Sequence, residues 1–275
     1  MNSSLIIAMN SMQSYQNKID TIADNTANVD TVGYKRKIAS FADLLNNTTE
    51  QPEDFLKDGR VTPLGFTQGW GAKIASMLTD FQQGSLQSTG QWTDLAIEGY
   101  ALFEVQADNQ GTLAYTRDGS FEVSINGEGQ AILTTSQGMP VRATLEDGSQ
   151  GSIVVPNGYT VQIGQDGTVL ASNNEETLNL GRLNLVTPVR PDMLTQVSNN
   201  LFAVAEGVNA EEVVQRVLAG NNNGISISQG YLEKSNVDLT TELTDLVRAQ
   251  RAYQLAARAL SSSDTLMQIS NNLRS

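Results

Sequence analysis

At 275 residues the chain is long enough for one large or two smaller domains with a buried core. It holds no cysteine and no histidine, which excludes disulfides, thiolate nucleophiles, Cys/His metal sites, histidine bases and the Ser-His-Asp triad. The net charge of −13 sits in the middle: residues 41–229 carry 8 basic and 22 acidic residues, and both ends are nearly neutral, which argues against nucleic acid as a partner.

In chain order, residues 3–30 read as a helix with a thin apolar stripe. Leu5, Met9, Met12, Ile19 and Ala23 recur at steps of three and four with Gln16 interrupting; Ala8, Tyr15, Ile22 and Val29 flank them. Gly33 is placed to stop the chain just beyond. The first 17 residues contain no Lys or Arg, and the longest early apolar run, Leu5-Ile6-Ile7-Ala8-Met9, is too short to span a membrane, so neither a signal peptide nor membrane insertion is expected. Residues 41–85 read as an irregular linker, with Pro52, Pro63, Gly65, Gly69 and Gly71.

Residues 86–228 read as a β-rich domain. Asp118-Gly119, Asn126-Gly127, Asp147-Gly148, Asn157-Gly158 and Asp166-Gly167 punctuate it, mostly at hairpin spacing. Between them lie strand-like runs at Ala101–Val105, Phe121–Ile125, Ile153–Val155, Tyr159–Ile163 and Thr168–Ala171. Residues 236–273 return to helix after a capping start at Ser235-Asn236-Val237-Asp238. Leu232, Leu239, Leu246, Tyr253, Leu260 and Met267 repeat every seven residues, with Leu243 and Ala257 beside them and Gln250, Asp264 and Asn271 breaking the second row. Early acids and later arginines, Arg248, Arg251, Arg258 and Arg274, complement the helix dipole. The expected fold is α+β: terminal helices, 1–40 with 229–275, pairing as a coiled-coil-like domain around an inserted β-rich domain. The stripes alone fit an intramolecular helix pair and an intersubunit coiled coil equally.

No sequence motif points to catalysis, a cofactor or a metal. The segment Gly65–Lys73 lacks the Gly-Lys-Ser/Thr ending of a phosphate loop. Glu175-Glu176 and Glu211-Glu212 are adjacent pairs rather than separated catalytic carboxylates. No calcium-loop spacing appears. Trp70 and Trp92 are expected in a core.

Four ordered blocks carry a resemblance. Asp24-Asn25-Thr26-Ala27-Asn28 followed by Thr31-Val32-Gly33-Tyr34-Lys35 is similar to the N-terminal signature of flagellar rod and hook proteins, with Asp24 in place of the usual first Asn. Gly84–Gly90 with Asp94–Gly99 matches a second block, Ala101 replacing a common Gly. Tyr115-Thr-Arg117-Asp118-Gly119-Ser-Phe121 resembles a third. Gln229-Gly230-Tyr231-Leu232-Glu233-Lys234-Ser235-Asn236-Val237-Asp238, continuing to Gln250-Arg251-Ala252-Tyr253 and Asn271–Arg274, resembles the fourth. Within this family the length and the stretch Gly65–Gly84 resemble a distal rod subunit, with a proximal rod or hook-type subunit as the alternative.

The resemblance implies a structural subunit of the flagellar basal body, built by helical self-assembly into a hollow driveshaft. It implies neighbouring rod and hook proteins and the flagellar type III export apparatus as partners, and an extracytoplasmic location reached without a cleaved signal. The terminal helices would line the tube, with Leu239, Leu243, Leu246, Tyr253, Leu260 and Met267 meeting Leu5, Met9, Met12, Ile19 and Ile22. Two other classes compete: a wall-remodelling hydrolase, disfavoured by the missing His and Cys, and an exported coiled-coil adhesin or effector.

Overall fold

The structure, a computed structural model, describes residues 2–43, 47–49, 66–68, 71–108, 111–127, 129–173, 176–198, 200–205, 207–220 and 223–273. The sequence expectations at Pro52, Pro63, Gly65, Gly69, Trp70, Glu175 and Arg274 lie outside the described residues. The chain is α+β, with a helix at each end of a β-rich middle. Helix α1 spans Asn2–Ala27, α2 is a single turn at Ala210–Val213, and α3 spans Leu239–Asn272. Two compact units form: Met1–Thr26 with Lys37–Leu78 and Leu239–Ser275, and Ala27–Arg36 with Thr79–Asp238.

In the first unit, α1 buries Ala8, Ser14, Thr21, Ile22 and Asn25, a stripe at helical spacing. Its neighbour is a ribbon of two strands, Lys37–Asp43 and Ala72–Thr79. The Ser14 hydroxyl donates to the Ala72 carbonyl at 2.7 Å. The Tyr15 ring lies 6.3 Å from that of Phe41, and the Lys18 ammonium sits 5.6 Å over the same Phe41 ring. The stretch 41–85, expected to be irregular, carries strand residues at 41–43, 47–49, 66–68 and 72–79, and is irregular at Gly71 and over 80–85. Half-buried Ala72 and Ile74 alternate with exposed Lys73 and Ala75, a period of two that the surrounding glycines and prolines mask in the sequence. Between the helices, the hydroxyls of Ser4 and Ser263 approach to 3.5 Å.

The second unit is built from antiparallel sheets. Six strands run in the order Leu194–Ser198, Leu201–Val204, Leu113–Thr116, Leu102–Gln106, Leu185–Pro188 and Val214–Val217. Five more run Gln150–Ser152, Arg142–Thr144, Thr177–Leu183, Thr168–Ser172 and Thr160–Ile163. A main core gathers Leu95, Ile97, Phe103, Val105, Phe121, Leu133, Val141, Leu185 and Ile227, with Phe103 and Phe121 edge-to-face at 5.1 Å. A second core packs Phe81, Leu102, Tyr115, Val186 and Phe202.

Asn126-Gly127, Asp147-Gly148 and Asp166-Gly167 each join paired strands. Asp118-Gly119 does not make a hairpin. There the chain passes so close to Leu95 that a Cβ on Gly119 would lie 1.6 Å from the Leu95 carbonyl oxygen. Ile153–Val155, expected as a strand, contributes an isolated bridge from Val154 to Ile132.

Candidate functional site

Two sets of residues carry the functional argument: a buried junction where the sequence blocks meet, and the outward side of the terminal helices. The junction starts at the end of α1. Asn25 is buried, and its side-chain amide donates to the Lys37 carbonyl and accepts from the Lys37 amide, both at 2.9 Å. A primary amide can satisfy both backbone groups of one residue at once, which an ionised Asp, an acceptor only, could not do. The Lys37 ammonium pairs with Asp24 at 2.7 Å, so the acid that replaces the usual first Asn has a local partner.

Past α1 the chain turns through Asn28, whose side chain accepts from the Thr31 hydroxyl at 3.1 Å. It reaches Gly33 at φ +66°, and the Gly33 amide donates to the Glu233 carbonyl at 2.8 Å. A Cβ on Gly33 would stand 2.6 Å from the Asp118 amide nitrogen. Positive φ and contact with the Tyr-Thr-Arg-Asp block both require glycine here.

Tyr34 and Lys35 follow, both buried. Lys35 Nζ bonds Glu233 Oε1 at 2.8 Å and the Gln82 carbonyl at 2.6 Å. Glu233 Oε2 meets Arg117 Nε at 2.5 Å, and Glu233 Oε1 also accepts from the Gly84 amide at 2.7 Å. The remaining Arg117 nitrogens donate to the carbonyls of Ala101, Ile97 and Gly99. One carboxylate thus holds two cations, with all three side chains at most 2% exposed. Burial pulls the Lys35 ammonium below its ordinary range, against the attraction of Glu233. Asn236 completes the junction: it accepts from the Arg36 amide at 2.8 Å and donates to the carbonyls of Asp80 and Gln82. Ser235 accepts from the Val237 amide at 3.3 Å, and Val237 is buried.

The junction therefore uses Gly33, Lys35, Ser235, Asn236 and Val237 from the sequence motifs, with Tyr34 buried alongside. Ala27, Gln250 and Arg251 are exposed and Asn28 is half-buried. Arg117 and Glu233 sit inside two quoted blocks, yet nothing local marks them as partners 116 residues apart. The local signal misleads if anything: each has an opposite charge next to it in the sequence, Asp118 beside Arg117 and Lys234 beside Glu233.

The helices separate into two sides. Ile22 is buried; Leu5, Met12, Ile19, Leu246, Tyr253, Leu260 and Met267 are half-buried; Met9, Leu239 and Leu243 are exposed. The inward stripe of α3 runs through Glu242, Leu246, Ala249, Tyr253, Leu260 and Met267. Opposite it, Val247, Leu255, Leu266, Ile269 and Leu273 also point out, with Leu255 64% and Leu266 57% exposed. Large apolar side chains on both sides of one helix exceed what a lone surface helix needs. Among the described residues no group of metal-binding side chains occurs, and no helix is long and apolar enough to cross a membrane.

A helix at each end of the chain, and a β-rich unit in which the sequence blocks meet in a buried charge network, are the features of the rod and hook class of flagellar proteins. Three family descriptions match along the chain: "Flagella basal body rod protein" at residues 5–35, "Flagellar hook protein FlgE/F/G D1 domain" at 96–171, and "Flagellar basal body rod FlgEFG protein C-terminal" at 228–273. The "Flagellar basal-body rod protein FlgG" of Borreliella burgdorferi is 34% identical over 97% of both chains. That of Buchnera aphidicola is 30% identical over 96% of both. The "Flagellar hook-basal body complex protein FlhP" of Bacillus subtilis is 32% identical over 98% of this chain and 99% of its own. The chain belongs to the flagellar basal-body rod protein family, of the distal-rod type. It is a structural component of the flagellum, not an enzyme. The matches favour neither the proximal or hook-type alternative nor the adhesin.

Proposed function

We propose that the chain builds its part of the rod by stacking copies of itself helically through the terminal helices, leaving a hollow shaft that carries torque from motor to hook. In this reading α1 and α3 form the tube-lining domain, pair along Leu5, Met12, Ile19, Ile22, Leu246, Tyr253, Leu260 and Met267, and meet neighbouring copies through Met9, Leu239 and Leu243. The acidic β-rich unit is the outer layer. Rod and hook proteins bind at the ends of the stack, and the flagellar type III apparatus exports the chain without cleaving a leader.

The observation that supports this most is the exposed apolar row on α3. A surface of that kind is unfavourable in water and calls for a partner. A face that meets a different face on the next copy gives an open helix rather than a closed ring. The test is Leu255→Asp with Leu266→Asp. Because both side chains are exposed, the folded subunit should keep its stability within about 0.5 kcal/mol. Cells carrying the double variant should be non-motile, with basal bodies that stop at the rod. Normal swimming would refute the assembly role.

A further inference from the structure

Trp92, expected in a core, is 42% exposed. It forms one wall of a surface groove of about 380 Å³, which Gln91, Thr93, Ser120, Glu122 and Ser136 also line. The backbone that carries the indole is anchored on both sides. The Asp94 amide closes the turn onto the Gln91 carbonyl at 3.2 Å, the Gly230 amide donates to the Asp94 carbonyl at 2.8 Å, and the Gln229 side chain donates to the Trp92 carbonyl at 2.9 Å. Leu95, three residues beyond Trp92, is wholly buried.

We infer that this groove binds a neutral oligosaccharide. A pyranose ring has an apolar C–H face and an equatorial rim of hydroxyls. The first suits a partly exposed indole on an anchored turn, and the second suits a surround of hydroxyl, amide and carboxylate groups. The lining supplies those groups from Thr93, Ser120, Ser136, Gln91, Asp94 and Glu122, and contains no Lys or Arg. With two carboxylates and no cation, the groove selects against phosphorylated or uronic-acid sugars. Its volume lies in the range of about 300–1,000 Å³ that small-ligand sites occupy. The rival occupant is an extended peptide laid along the strand Phe121–Ile125, where Val123 and Ile125 are exposed. The polar lining around Trp92 favours the sugar.

The test is calorimetric titration of the full chain with cellohexaose, with hexa-N-acetylchitohexaose, with polygalacturonate as the anionic probe, and with an extended threonine–valine hexapeptide. At least one neutral sugar should bind saturably, and polygalacturonate should bind at least about tenfold more weakly. Trp92→Ala should weaken the sugar by about tenfold or more. Ser136→Arg, which fills the groove from an exposed position, should do the same without touching the indole. Tyr100→Ala, an equally exposed aromatic elsewhere, should change nothing. Failure of both neutral sugars to saturate, survival of binding in both groove variants, or binding of the hexapeptide in place of the sugars would each overturn the inference.

Discussion

Glu233 is the residue on which the buried junction depends. Its carboxylate pairs with two buried cations, so its loss differs in kind from the loss of either partner. Glu233→Ala leaves Lys35 and Arg117 facing each other without an anion and should cost about 3–5 kcal/mol in urea unfolding. Lys35→Met leaves a one-to-one pair between Glu233 and Arg117 in a place where burial already disfavours the ammonium, and should cost clearly less. Equal costs would mean that the triad does not act as a charge-compensated unit. A second residue gives the acid limb its shape. Thr168 and Arg182 hold the Asp166 carboxyl down to about 2 from the ordinary 3.8. A depressed carboxyl stabilises the fold above its unfolded value, and that contribution disappears as pH falls from 3.8 towards about 2. The pair is substantially solvent-exposed, so the effect is small. Asp166→Asn should flatten the stability profile in that window and lower it by a small constant amount above about pH 5, where the contribution is fully present. An unaltered acid limb would contradict this.

At the scale of elements, the turn after α1 is the most constrained segment. If only its positive φ mattered, Gly33→Asn would be tolerated, because Asn enters the left-handed region readily. Contact of any Cβ with the Asp118 backbone predicts instead that Gly33→Asn and Gly33→Ala are both destabilising, by more than the roughly 1–2 kcal/mol of the backbone preference alone. Thermal unfolding of the two variants side by side decides between these. The helices and several strands were legible because their signals are local. Period and capping place α1 and α3, and Asn-Gly or Asp-Gly turns place the hairpins at Asn126, Asp147 and Asp166. The ribbon of Lys37–Asp43 with Ala72–Thr79 was not legible, because its strands are separated by about thirty residues and ringed by breakers. The junction was half legible. Its blocks stand out in the sequence, but pairings such as Lys35 with Glu233, 198 residues apart, depend on tertiary structure. Trp92 was misplaced for the opposite reason: large aromatics are usually buried, and nothing local shows that its turn is anchored through the backbone.

At the scale of the molecule, the chain assigns different roles to its two units. The β-rich unit has its own cores and antiparallel sheets, so a fragment of residues 79–238 should give a folded β-type circular dichroism spectrum. It should be less stable than the same unit in the full chain, because Arg117 and Glu233 lose Lys35; a disordered fragment would show that residues 79–238 do not fold without the rest of the chain. The helical unit, by contrast, keeps Leu239, Leu243, Val247, Leu255, Leu266 and Ile269 exposed, and the proposed stacking of copies would cover them. The most direct test of that claim is a helical reconstruction by electron microscopy of rods purified with this subunit in place. The account predicts α1 and α3 at the inner wall, those α3 side chains buried between neighbouring copies, and the acidic β-rich unit outside. A reconstruction with the β-rich unit lining the channel, or with the α3 row still facing solvent, would contradict it.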